Sequence, residues 1–149
     1  MKTVLSAVPR VLLGVVLVFT GLNKLFWFVP MPPMSPALTP FMSALKATGY
    51  FLPFLGVVEF VGGLLLLLNR FVPLAITIVA SVVVNILAVH SFLDARGYAR
   101  GLPTALTLVA LEIYLAWVNR EAFRSLFVAR GIDASKKLEA GESMRTGAA

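Results

Sequence analysis

Glu59 and Glu112 stand near the centres of long apolar runs, and the same set of runs carries Lys24, Asn23, Asn85 and His90. A carboxyl group placed in hydrocarbon can exchange a proton, pair with an ammonium, or hydrogen-bond a carbonyl-bearing ligand, and its cost at that depth makes it a candidate functional group. Other chemistries have no residues to use. With no cysteine, the chain holds no disulfide, thiolate nucleophile or cysteine-ligated cluster of its own. One histidine cannot supply a bis-histidine haem site and is a weak basis for any metal centre. No metal or covalent cofactor is therefore expected, and redox chemistry would have to come from a bound partner.

The elements that must position these groups are four apolar stretches, at about 8–28, 50–68, 71–93 and 102–118. Each is close to the ~20 residues that one helix needs to cross a bilayer, and in lipid a helix satisfies its own backbone polar groups. The chain is 59% hydrophobic and 13% charged, far below the ~25% charged residues of soluble domains. The expected fold is an all-α membrane protein, a four-transmembrane-helix bundle over residues 1–130 with a disordered cytoplasmic tail at 131–149. A signal peptide is the alternative for the first stretch, but the apolar run continues through Phe28 without an Ala-x-Ala site.

The net charge of +6 comes from basic residues at helix ends and in the tail, where they set topology and give no nucleic-acid surface. Lys2, Arg10, Arg70, Arg120, Arg124, Arg130, Lys136, Lys137 and Arg145 fall on one side of four crossings, against Lys24, Lys46, Arg96 and Arg100 on the other. That bias places both termini in the cytoplasm.

Val29 to Gly49 forms a long external connection, in which Thr39 offers an N-cap, Pro40 a first helical position and Gly49 a stop. A short helix is expected at about 40–48, with Phe41, Met42 and Leu45 on one face. It would either rest as a lid on the outer mouth of the bundle or float at the lipid interface. Asn69-Arg70 makes a tight turn, which forces the second and third stretches to be antiparallel neighbours. Beyond Val118 the helix should continue along the membrane surface, with Phe123, Leu126 and Phe127 on one face, and end at Gly131.

By depth, Glu59 and Glu112 fall near the midplane, Asn85 slightly outside it, and Asn23, Lys24 and His90 in the outer half. If these six side chains converge, they line a polar pocket that opens outwards and is closed inwards by aliphatic residues. Helical spacing supports part of this: Gly56, Glu59 and Gly63 share one stripe, as do Gly14, Gly21 and Lys24, and small residues let helices approach closely in lipid. Pairing of Lys24 with Glu59 or Glu112 would offset the cost of either. The blander alternatives are that Lys24 snorkels to the headgroups, that Asn23 and Asn85 only bond helix to helix, and that His90 is interfacial. The Gly62-Gly63 pair could serve contact with a second copy. A weak internal repeat relates the first two stretches to the last two: Asn23 corresponds to Asn85, each second member has a central glutamate, and each exits through Asn-Arg, at Asn69-Arg70 and Asn119-Arg120.

Gly21-Leu22-Asn23-Lys24-Leu25, Met31-Pro32-Pro33-Met34, Thr48-Gly49-Tyr50, Val58 to Gly63, Val84-Asn85-Ile86 with His90, and Leu111 to Tyr114 together resemble the DoxX-like family of small bacterial membrane proteins, over about residues 8–127. The resemblance implies a four-helix integral membrane protein with a link to redox assemblies that use quinones. Two functions follow as expectations. One is a non-catalytic membrane subunit that binds a quinone or other membrane lipid, or anchors a redox enzyme partner, as a monomer or homo-oligomer. The other is a proton-coupled small-solute transporter using the glutamates, which the aliphatic inner half disfavours because alternating access needs a polar route inwards.

Overall fold

The structure, a computed structural model, describes residues 2–30, 33–93 and 101–124. Its elements are all helices: α1 (Lys2–Phe26), α2 (Leu38–Ala47), α3 (Phe51–Leu67), α4 (Val72–Leu93), α5 (Gly101–Val118) and α6 (Arg120–Arg124). The expected stretches are recovered as α1, α3, α4 and α5, with α1 starting at Lys2, six residues early, and running through Pro9. Proline is tolerable there because the carbonyl it leaves unpaired lies near a helix end. Three helices (Ala7–Phe26 within α1, then α4 and α5) are long and apolar enough to cross a membrane. The 17-residue α3 reaches the lower end of the spanning range and makes a fourth with α2, from which it is bent by 93°.

The four long helices close into a ring in the order α1, α3, α4, α5, each packed on its two neighbours. Successive members run antiparallel, so α3 and α5 face each other across the ring as a parallel diagonal pair. Each turns one heptad-like stripe inwards. In α3 it is Leu52, Gly56, Glu59, Gly63 and Leu66; in α5 it is Ala105, Leu108, Glu112 and Leu115. Leu13 and Leu17 of α1 with Val72, Ile76, Val79 and Val83 of α4 complete the core. Without a hydrophobic drive between helices in lipid, packing of this kind holds the bundle.

The tightest seam lies between α1 and α3, where glycines mesh at seven-residue spacing. A Cβ added to Gly21 would sit 2.7 Å from the Gly56 carbonyl oxygen, and one on Gly56 would sit 2.8 Å from that of Gly21. Gly14 and Gly63 repeat the arrangement, at 3.0 and 2.8 Å. No side chain fits, and the two backbones touch. Gly62 faces the other way, its missing Cβ 2.5 Å from Val79 Cγ2 of α4. The expectation that Gly62-Gly63 serves contact with a second copy is therefore corrected, since both glycines are used inside the bundle.

Sharp turns fix the antiparallel neighbours. After α3 the Asn69 N–H donates to the Leu66 carbonyl and the Arg70 N–H to the Leu65 carbonyl, both at 3.1 Å. Asn69 at φ 54 supplies the left-handed residue that this helix ending requires. Arg10 of α1 donates to the same Leu66 carbonyl at 2.5 Å and ties α1 to the turn.

The connection between α1 and α3 is a strap across the opposite end of the bundle. Ser35, almost fully buried, donates to the Leu93 carbonyl at the end of α4 (2.8 Å), and Lys46 lies 4.8 Å over the Trp27 ring at the end of α1. With Leu38 buried, α2 is held at both ends, as a lid would be. Its start is two residues ahead of expectation and Thr39 is not its N-cap. The Ser35 hydroxyl accepts from the Leu38 N–H (3.1 Å), while the Thr39 hydroxyl donates back to the Ser35 carbonyl (2.9 Å). Gly49, at φ 73, ends the strap as foreseen. Beyond Val118 the chain breaks at Asn119 before α6, and Phe123 packs back against the core. Residues 94–100, Leu126, Phe127 and Gly131, and the tail lie outside the described residues.

Candidate functional site

Of the six polar residues expected to converge, the structure brings two together. Glu59, 1% exposed on the inward stripe of α3, accepts from Lys24 Nζ of α1 at 2.6 Å. Lys24 sits one turn beyond Gly21, so the glycine seam lets its stem run down the α3 surface and place the ammonium beside the carboxylate instead of in the headgroups. Its side chain is 20% exposed. Thr20 Oγ1 donates to the same Glu59 oxygen at 3.0 Å, sharing its proton with the Leu17 carbonyl at 3.3 Å. Thr20 was missed in the sequence, although it lies one turn before Lys24 on the Gly14/Gly21 stripe. A charge pair with an added hydroxyl donor is how an ionised carboxylate is accommodated away from water.

Glu112 is the other buried carboxyl. It is 7% exposed on the inward stripe of α5, and its Oε1 has no hydrogen-bond partner among the described residues. The sequences of α1 and α4 offer a contrast. Counting from the paired asparagines, the α4 positions that correspond to Thr20, Gly21 and Lys24 are Val82, Val83 and Ile86. The first hairpin supplies donors to its glutamate and the second supplies aliphatic side chains. Glu112 also lies seven residues before Asn119, where Glu59 lies ten before Asn69, so it sits one turn nearer the Asn-Arg end of the bundle. An unpartnered buried polar atom costs about 1–3 kcal/mol.

The asparagines do not join them. Asn23 spends its amide on the backbone that leaves α1, Nδ2 donating to the Val29 carbonyl (3.2 Å) and Oδ1 accepting from the Val29 N–H (2.7 Å). This clamp holds the exit at Trp27, whose φ is 53. Asn85 is exposed on the outer surface of α4. Five residues on, His90 is half-buried on the inward stripe, since five positions turn a helix by about 140°. Both asparagines are therefore corrected as pocket residues. Depth alone put Asn85 with His90, and azimuth separates them. Among the described residues no group of three or more His, Asp or Glu is gathered as a metal-binding cluster.

Antiparallel apolar helices around a core that holds an ion pair and a carboxyl group define an all-α, multi-pass membrane bundle. The chain belongs to the DoxX family, whose model matches residues 5–91, from α1 into the last turn of α4. Lys24, Thr20, Glu59, Asn85 and His90 fall inside the match, and α5 with Glu112 lies beyond it. No curated protein and no solved structure matches the chain.

Proposed function

We propose that this DoxX-family protein is a non-catalytic membrane subunit that holds a quinone-like, carbonyl-bearing lipid against α5, with both termini in the cytoplasm and a redox enzyme as its client. The observation that supports it is the Oε1 of Glu112, a buried oxygen with no hydrogen-bond partner among the described residues. A carboxyl there suits both forms of such a ligand: protonated, it donates to a quinone carbonyl; ionised, it accepts from a quinol hydroxyl. The head group would bring the electron chemistry. The chain's part is to offer one hydrogen bond inside apolar walls, the usual make-up of a small-molecule site. Lys24, Glu59 and Asn23 are already occupied, so the site is smaller than the six-residue pocket expected from depth.

The carrier reading has less support. Proton-coupled transport through both glutamates needs Glu59 to exchange protons with passing solvent, whereas it is buried and paired with Lys24.

The test is mass spectrometry of lipids that copurify in mild detergent. The native protein and Glu112→Gln, which keeps a donor and an acceptor, should retain a quinone. Glu112→Leu should lose it with folding intact. Equal quinone recovery from the native and Glu112→Leu proteins, or none from either, would overturn the proposal.

A further inference from the structure

α4 presents one face to its neighbours and another to the bilayer, and the second is not purely apolar. Leu74, Thr77, Ser81, Val84, Asn85, Ala88 and Phe92 form the outward arc, with Val84 62% and Phe92 86% exposed. The hydroxyls on this arc are satisfied within their own helix. Thr77 donates to the Pro73 carbonyl at 2.9 Å and Ser81 to the Ile78 carbonyl at 2.9 Å. The Asn85 side chain is exposed, and an amide that turns one N–H back onto its own helix, as Asn119 does to the Leu115 carbonyl at 2.8 Å, still leaves its second N–H and its oxygen to be paired. Asn23, at the equivalent place in the first hairpin, escapes the problem because α1 ends three residues later and its amide clamps the departing chain. α4 instead runs on for eight residues past Asn85, roughly 12 Å of helix, so the amide lies too deep for the interface. Each polar group left unsatisfied at that depth costs several kcal/mol.

We propose that this face is the contact surface of a homodimer in the membrane, with α4 of one copy packed on α4 of another and their Asn85 amides hydrogen-bonded across a two-fold axis along the membrane normal. Three properties of the face fit a second copy. A primary amide carries both donor and acceptor, so identical amides facing each other across a two-fold axis satisfy one another, as an isologous contact requires. The arc carries no charge and so calls for no oppositely charged partner. Thr77, Ser81 and Ala88 are small and line up along the helix beside Asn85, which permits the close approach that interhelical hydrogen bonds need. Gly62 and Gly63 cannot serve, being used inside the bundle.

The chain has no cysteine, so single-cysteine variants report contacts cleanly. Oxidation in native membranes should crosslink Ser81→Cys and Ala88→Cys into dimers and leave Ile113→Cys, on the outward face of α5, monomeric. In lipid nanodiscs, mass measurement should find the native protein dimeric. Asn85→Leu should weaken dimerisation by about 3- to 20-fold, the range for one or two interhelical hydrogen bonds in lipid, and Asn85→Gln should keep most of it. Because Asn85 is exposed in the monomer, neither variant should disturb the bundle. A monomeric native protein, crosslinks as strong at position 113 as at 81, or a dimer indifferent to Asn85→Leu would each overturn the proposal.

Discussion

Replacing Lys24 by methionine should damage the bundle more than any other single substitution of a partly exposed residue. At 2.6 Å and an effective dielectric of about 20, the Lys24–Glu59 attraction is roughly 6 kcal/mol before desolvation is subtracted. Lys24→Met leaves Glu59, 1% exposed, as a charge with only Thr20 as donor. Breaking one side of a buried pair costs about 3–5 kcal/mol, and that is the loss expected. The reverse change should cost less, about 1–2 kcal/mol, because Glu59→Gln still accepts from Thr20 and the freed ammonium can extend towards the headgroups. The double variant removes both charges and should recover to within about 1 kcal/mol of native. Reversible unfolding in bicelles, followed by the fluorescence of Trp27 and Trp117, gives all four corners of the cycle. Additive single effects, or a Lys24→Met loss below about 1 kcal/mol, would refute the view that the lysine is committed to Glu59.

Gly21→Val should destabilise by about 1–3 kcal/mol or more, since its added atoms meet the α3 backbone, whereas Gly49→Ala, with open space around it but φ 73, should cost only about 1–2 kcal/mol; the same unfolding assay compares them. Ser35→Ala removes the bond to the Leu93 carbonyl and should lower stability by about 1 kcal/mol, with faster amide exchange in the first turn of α2. At the α3–α4 turn Asn69→Gly should be neutral or slightly stabilising and Asn69→Ala destabilising by about 1 kcal/mol, because the position is left-handed.

The helices were legible because apolar length is a strong signal. The inward stripes of α1 and α3 were legible too, since glycine at seven-residue spacing beside a charged residue marks a packed face. The pairing of Lys24 with Glu59 was one of two open choices, and the sequence could not choose, because counting residues puts both glutamates near the midplane. What settles it is the glycine seam, which draws α1 closer to α3 than to its other neighbour α5. Asn85 was misplaced for a different reason. α4 carries aliphatic residues on every side, so its hydrophobic pattern gives little azimuthal information, and packing against α3 and α5 shows which side is lipid-facing. Ser35 escaped notice because its partner, the Leu93 carbonyl, is a backbone atom, which no side-chain pattern can announce.

The glycine seam has a mechanical consequence. Where two backbones touch, neither helix can slide or tilt against the other without collision, so α1 and α3 must move as one stiff plank. Any opening that admits a lipid tail to the interior is then confined to the seams made by α4 and α5, where side chains separate the helices and α5 can swing aside. Glu112 hangs from that movable board.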